Sequence, residues 1–130
     1  MRIPDGFSGV TPYVFVGRAD DYVAFLIAAL GGRELGRSTM SDGRIANCQV
    51  SLSGATIMIS EASDAFPPTR AAYYLYVEDA DVAMARAVAA GAASIMDVDD
   101  MPYGDRQGGV RDPAGNIWWI SQRLTDEPYH

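Results

Sequence analysis

The feature that most limits how this chain can fold is an internal repeat. Laid over "YLYVEDADVAMARAVAA" (residues 74–90), "YVFVGRADDYVAFLIAA" (13–29) matches at seven of seventeen positions, among them Tyr13/Tyr74, Val16/Val77 and Asp20/Asp81. The offset is 61 residues, and without a gap it also carries "SGATIMIS" (53–60) onto "AGNIWWIS" (114–121), pairing Gly54/Gly115, Ile59/Ile120 and Ser60/Ser121. One register that holds at both ends of each half marks two copies of a single unit. The copies are module one, 9–61, and module two, 70–122, joined by a linker at 62–69 that contains Pro67 and Pro68. Residues 123–130 read as a frayed tail.

Each copy yields the same elements. "GVTPYVFV" and "AAYYLYV" are rich in β-branched and aromatic residues, as strands are. An Asp at a helix start follows each (Asp20, Asp81), then a run with apolar residues on one side. That side is expected to carry Val23, Leu26, Ile27 and Leu30 in the first module and Val82, Ala85, Val88 and Ala89 in the second. Gly31-Gly32 and Gly91 end the helices. Three short strands follow, at 33–40, 45–52 and 55–60 and again at 94–99, 106–111 and 116–122, with hairpin turns at Asp42-Gly43, Ser53-Gly54, Gly104-Asp105 and Ala114-Gly115. The predicted unit is βαβββ, twice.

Composition narrows the partners. At 130 residues the chain is long enough for one domain with its own core. Its net charge is −7 and its ten cations are all arginines spread singly, a field that would repel a phosphate backbone and excludes nucleic acid as the expected partner. No apolar run approaches the ~20 residues of a membrane span, and "MRIPDGFSG" lacks the apolar stretch of a secretory signal, so no membrane partner and a cytoplasmic location are expected. Cys48 is the single cysteine; it offers neither a disulfide nor a cysteine zinc site and reads as a buried thiol.

Two βαβββ modules with "VTPYVFV" near the start, "LYVEDAD" opening the second module and "YGDRQGGVRDPAGNIWWIS" near the end resemble the glyoxalase, bleomycin-resistance and extradiol-dioxygenase superfamily, and within it the PhnB-like branch. The resemblance implies an α+β fold of two tandem modules, each a curled mixed sheet with its helix on the convex side. It also implies a site on the concave faces and a homodimer.

The stretch 104–122 gathers the most chemistry, and most of it reads as a hairpin. Gly104 and Gly115 suit turns, Gly108-Gly109 suits a bulge, "DPAG" is turn chemistry, and Asp105, Arg106, Arg111 and Asp112 suit pairing across or beside strands. The tryptophans separate, because adjacent strand residues point to opposite faces. Trp118 belongs with Ile120 in the core, which leaves Trp119 on the opposite face.

Enzymes of the glyoxalase type hold a divalent metal from four positions on the concave faces. By resemblance these fall on Thr11, Met58, Ala72 and Trp119, and the 61-residue offset relates them pairwise. None is a normal divalent ligand. The only histidine, His130, is the last residue. No metal and no cofactor are therefore expected, and no catalytic residue is assigned. The same faces would present Thr11, Tyr13, Phe15, Met58, Tyr74, Tyr76 and Trp119, an aromatic surface with few polar handles. The expected function is metal-free binding of an aromatic or cationic small molecule, such as an antibiotic, in the manner of bleomycin-resistance proteins. An enzyme of the same superfamily with a non-standard metal site or none is the alternative, and a regulatory domain with a closed cavity is a third.

Overall fold

The computed structural model describes residues 1–129; His130, set aside above as a metal ligand, lies outside the described residues. The chain forms two compact units, Met1–Arg70 and Ala71–His130. In the first, β1 (Tyr13–Val16), α1 (Ala19–Leu30), β2 (Arg33–Thr39), β3 (Ile45–Leu52) and β4 (Ala55–Glu61) give a four-stranded sheet in the order β1-β4-β3-β2. In the second, β5 (Ala72–Tyr76), α2 (Ala80–Ala89), β6 (Ala93–Asp100), β7 (Asp105–Arg111) and β8 (Ile117–Arg123) repeat that plan as β5-β8-β7-β6. In both sheets the first strand runs parallel to the last and the remaining pairs are antiparallel, so the α+β fold expected from the repeat is the fold observed.

Strand alternation assigns the two faces of each sheet. In the first unit Val14, Val16, Cys48, Val50, Leu52, Ile57 and Ile59 are buried with α1. In the second, Leu75, Val110, Trp118 and Ile120 are buried with α2. Trp118 is core, as expected, and its indole N–H donates to Asp112 Oδ2 at 2.8 Å. The hairpin turns sit where the glycines placed them; Ser53 and Gly54 both take positive φ, 46° and 84°, as a two-residue hairpin requires.

The helix faces depart from the expectation. In α1, Val23 and Leu26 are buried, but Ile27 is exposed and Leu30 only half-buried; Tyr22 and Phe25 take their places. In α2 all four expected residues, Val82, Ala85, Val88 and Ala89, are exposed, and Ala80, Met84 and Ala87 face the sheet. An alanine-rich helix has no strong apolar stripe, so close approach decides its rotation. The Met84 side chain lies over Gly108, where a Cβ would meet its Cγ and Sδ at 2.8 Å.

The helix starts also differ by a residue or two from Asp20 and Asp81. Arg18 is the N-cap of α1 and Asp79 that of α2, whose side chain accepts the Val82 N–H at 3.1 Å. Asp20 and Asp81 lie in the first turns, where negative charge suits the helix dipole, and each is paired with an arginine, Arg37 and Arg106 respectively.

Candidate functional site

The expected site residues fall on the helix-free faces, in two groups. On the first sheet Tyr13 is the register partner of Met58, and Phe15 that of Ser60; Thr11 lies just before β1, its hydroxyl donating to the Ser8 carbonyl at 3.4 Å. Tyr13 and Phe15 stack at 4.8 Å between centroids, and Phe66 continues the stack at 5.5 Å from Phe15. Thr69 ties the segment carrying Phe66 back to β1, its Oγ1 accepting the Phe15 N–H and its N–H reaching the Phe15 carbonyl, both at 3.0 Å.

On the second sheet Tyr74 pairs with Trp119 and Tyr76 with Ser121. Both tyrosine rings are well exposed, whereas Trp119 is half-buried. A pocket of about 380 Å³ opens here, lined by Tyr74, Tyr76, Tyr103 and Tyr129. Tyr74 and Tyr76 were expected to line a site; Tyr103 and Tyr129 were not. Trp119 lies on the same face as Tyr74 and Tyr76 but outside that lining.

Below the rings is a polar layer that sequence reasoning missed. Asp105 is fully buried, and its carboxylate accepts from the Tyr74 hydroxyl, from the Tyr129 hydroxyl at 2.9 Å and from Arg123 Nη1 at 2.9 Å. Burial alone would raise its pKa; the hydrogen bonds from Tyr74, Arg123 and Tyr129 outweigh that and hold the carboxyl below its ordinary value. Tyr74 is pushed the other way, to about 12, first by burial and then by its bond to Asp105. Beside them Tyr103 donates to Gln107 Oε1, and Gln107 Nε2 donates to Ser121 Oγ at 2.7 Å.

The described residues beyond β8, 124–129, fold back onto the second sheet, where the Leu124 N–H donates to the Gly104 carbonyl at 2.9 Å. Arg123 Nη2 donates to the Glu127 carbonyl at 2.6 Å, and its guanidinium sits 4.1 Å from the centroid of Tyr129. That contact brings Tyr129 onto Asp105. The alternation of Asp105 and Gln107 with Ser121 and Arg123 in the opposite strand was the available signal for this layer. Nothing in "TDEPYH" indicated where its tyrosine would go.

The four positions to which the resemblance carries the metal ligands of the superfamily's enzymes do not offer the donors of a divalent-cation site. Thr11 and Met58 supply a hydroxyl and a thioether, Trp119 an indole, and Ala72 no donor. Among the described residues no group of three or more His, Cys, Asp or Glu side chains comes together. Cys48 is buried, and desolvation pushes its thiol up to about 11, so it is no ready nucleophile.

The motif stretch resolves largely into structure. Asp112 accepts the Ala114 and Asn116 N–H groups, both at 2.9 Å, which closes the β7–β8 turn, while Arg106 binds Asp81 and Asp100. The irregular pairing expected at Gly108-Gly109 lies in the β6–β7 ladder, where the register shifts on both sides of the Met96–Gly109 pair and β6 carries the extra residues; toward β8 the two glycines pair regularly with Ile120 and Trp119.

Comparison with known proteins agrees with this architecture. Residues 9–120 match the sequence model of the Glyoxalase/Bleomycin resistance protein/Dioxygenase superfamily, and the chain belongs to that superfamily. An uncharacterised protein of Mycobacterium bovis is 29% identical over 128 residues, covering 90% of this chain and 84% of its own. The crystal structure of TioX from Micromonospora sp. ML1 is similar with a TM-score of 0.71 and 28% identity, covering 89% of this chain and 100% of that one. TnmS3, an antibiotic-binding protein from Streptomyces sp. CB03234, shares the fold with a TM-score of 0.68 at 22% identity, covering 89% of this chain and 97% of its own.

Proposed function

We propose that the chain is a metal-free binding protein of the bleomycin-resistance kind, which sequesters an aromatic or cationic small molecule such as an antibiotic. The observation that carries this reading is the pocket of about 380 Å³ walled by four tyrosines. Its size falls within the range of small-molecule sites, and its exposed rings offer stacking worth ~0.5–1.5 kcal/mol per aromatic pair beyond area burial. A cation above such rings gains further. The unsuitable donors at Thr11, Met58, Ala72 and Trp119 argue against the metal chemistry of the superfamily's enzymes. A homodimer belongs to the same reading, as does a cytoplasmic location. Among the described residues no helix is long and apolar enough to cross a membrane.

The test is calorimetric titration of the purified protein with planar aromatic compounds, beside elemental analysis for Ni, Zn, Mn and Fe. Saturable binding that survives chelator treatment, with no stoichiometric metal, is the expected result. One tight equivalent of metal, lost together with binding or turnover on chelation, would replace this reading by an enzymatic one.

A further inference from the structure

We propose that Tyr129 occupies a subsite built for a hydroxyaryl group, and that a planar ligand bearing a phenolic hydroxyl binds by displacing it, donating to Asp105 and laying its ring against Arg123. This rests on the binding role proposed above and names both the ligand class and the side chain that yields to it.

The fold does not require the charges that make this subsite. In the first unit Cys48 pairs with Ile59; in the second, Gly108 pairs with Ile120, the repeat counterpart of Ile59. Three residues before these matched positions stand Ile45 and Asp105, both fully buried. Where one module buries an isoleucine the other buries a carboxylate, at the desolvation cost that an ionised group carries. The 61-residue offset matches Arg123 to Ala62 and Tyr129 to Pro68. The same sheet is thus built once without Asp105, Arg123 and Tyr129, and a buried carboxylate beneath an open pocket points to recognition rather than to folding.

Tyr129 is held as a ligand would be. Its hydroxyl donates to Asp105 Oδ2 at 2.9 Å, its ring centroid lies 4.1 Å from the Arg123 guanidinium carbon, and its oxygen meets the Tyr76 hydroxyl. An acceptor for the phenolic proton and a cation over the ring face recognise any hydroxyaryl group, not a tyrosine alone. Tyr129 is also free to leave. It comes from 124–129, a segment that is neither strand nor helix, and its ring is 42% exposed. Its departure does not strand the buried charge, because Asp105 keeps Arg123 Nη1 and the Tyr74 hydroxyl as donors. The open pocket beside it, walled by Tyr74, Tyr76 and Tyr103, gives room for a fused second ring.

Two probes that share a ring system and an oxygen test this by equilibrium dialysis: 2-naphthol, which can donate, and 2-methoxynaphthalene, which cannot. The wild-type chain should bind 2-naphthol about tenfold or more tighter than the ether, the effect of one hydrogen bond to a charged group. Tyr129→Ala should melt close to wild type and bind 2-naphthol about tenfold tighter than wild type does, because the internal phenol no longer competes for the Asp105 hydrogen bond. Tyr129→Phe, which keeps the ring and gives up that bond, should fall between the two. Weaker or unchanged 2-naphthol binding in the folded variants makes Tyr129 a fixed wall and overturns the displacement. Equal binding of the two probes overturns the hydroxyl requirement, and uptake of 2-naphthol by the variants alone overturns the subsite, since it reports only the hole made by the substitution. All three outcomes leave the binding role standing. Binding of neither probe to any of the three proteins overturns the proposal as well, and the wider panel of planar aromatic compounds named above then decides the binding role.

Discussion

The indole of Trp119 lies over Gly109 so closely that a Cβ at residue 109 would fall 2.5 Å from Cζ3 and 2.7 Å from Cε3. The two are register partners on β7 and β8, so the glycine is the space into which the indole settles. Gly108 gives the same clearance to Met84 on the opposite face.

Gly109→Ala should therefore displace the indole and cost about 1–3 kcal/mol, the usual range for overfilling a packed site. In a Trp119→Ala background the same substitution should cost much less, since the clashing ring is gone. Denaturant melts of the four proteins in this cycle give the coupling, and additive losses would show that Gly109 matters for another reason.

The repeat made the fold legible because a 61-residue offset fixes strands, helices and turns together, and errors in one copy are checked by the other. Helix rotation was not legible in the same way. In α2 the surface valines Val82 and Val88 outweigh the alanines in any hydrophobic count, yet the sheet takes Ala80, Met84 and Ala87 because small residues and one flexible thioether allow approach over Gly108. The aromatic half of the site was readable from strand alternation at Tyr74 and Tyr76. Its polar half was hidden, because Asp105 looked like a hairpin charge until Tyr129, from beyond the last strand, supplied a second phenol to it.

Trp118 and Trp119 should respond differently to truncation. Trp118→Ala removes a fully enclosed ring and leaves the Asp112 carboxylate without its indole donor, so a loss of about 3–5 kcal/mol is expected. Trp119→Ala removes a half-buried ring and should cost distinctly less. Equal, large losses in chemical denaturation would mean that the helix-free face is packed shut, and the binding role would have to be abandoned.

Asp105 and Tyr74 set opposite limits on stability against pH. The Asp105 carboxyl titrates below its ordinary value in the folded chain, so its contribution is present above pH ~4 and is lost as pH falls through the lower folded value. Tyr74 titrates higher when folded, so its contribution is intact below pH ~10 and disappears as pH climbs toward about 12. Thermal melts across both ranges should show a shallower acid limb in Asp105→Asn and a shallower alkaline limb in Tyr74→Phe. Unchanged limbs in variants that still fold would remove these two groups from the account.

The helix starts offer the sharpest test of what the repeat conserves physically. Glu61 and Gln122 occupy matching ends of β4 and β8, and each reaches across to a helix N-terminus in its own unit. Gln122 Oε1 accepts the Ala80 N–H at 3.0 Å, whereas the Glu61 carboxylate accepts two N–H groups, those of Arg18 at 2.9 Å and Ala19 at 3.0 Å. The difference follows from the caps. Asp79 has extended backbone and caps α2 with its own side chain, but Arg18 sits in the left-handed region at φ 54° and makes no side-chain cap bond. Glu61 thus supplies acceptors to α1 that Asp79 shares in supplying to α2. Glu61→Ala should cost ~1–2 kcal/mol, at the upper end of capping losses, and Gln122→Ala ~0.5–1 kcal/mol. Gln122→Glu should be tolerated, because the carboxylate keeps the acceptor and suits the positive end of the helix, while Glu61→Gln should fall between wild type and alanine, having one acceptor for two donors. If Gln122→Ala proves the more damaging of the two alanine variants, the capping explanation for this pair is wrong.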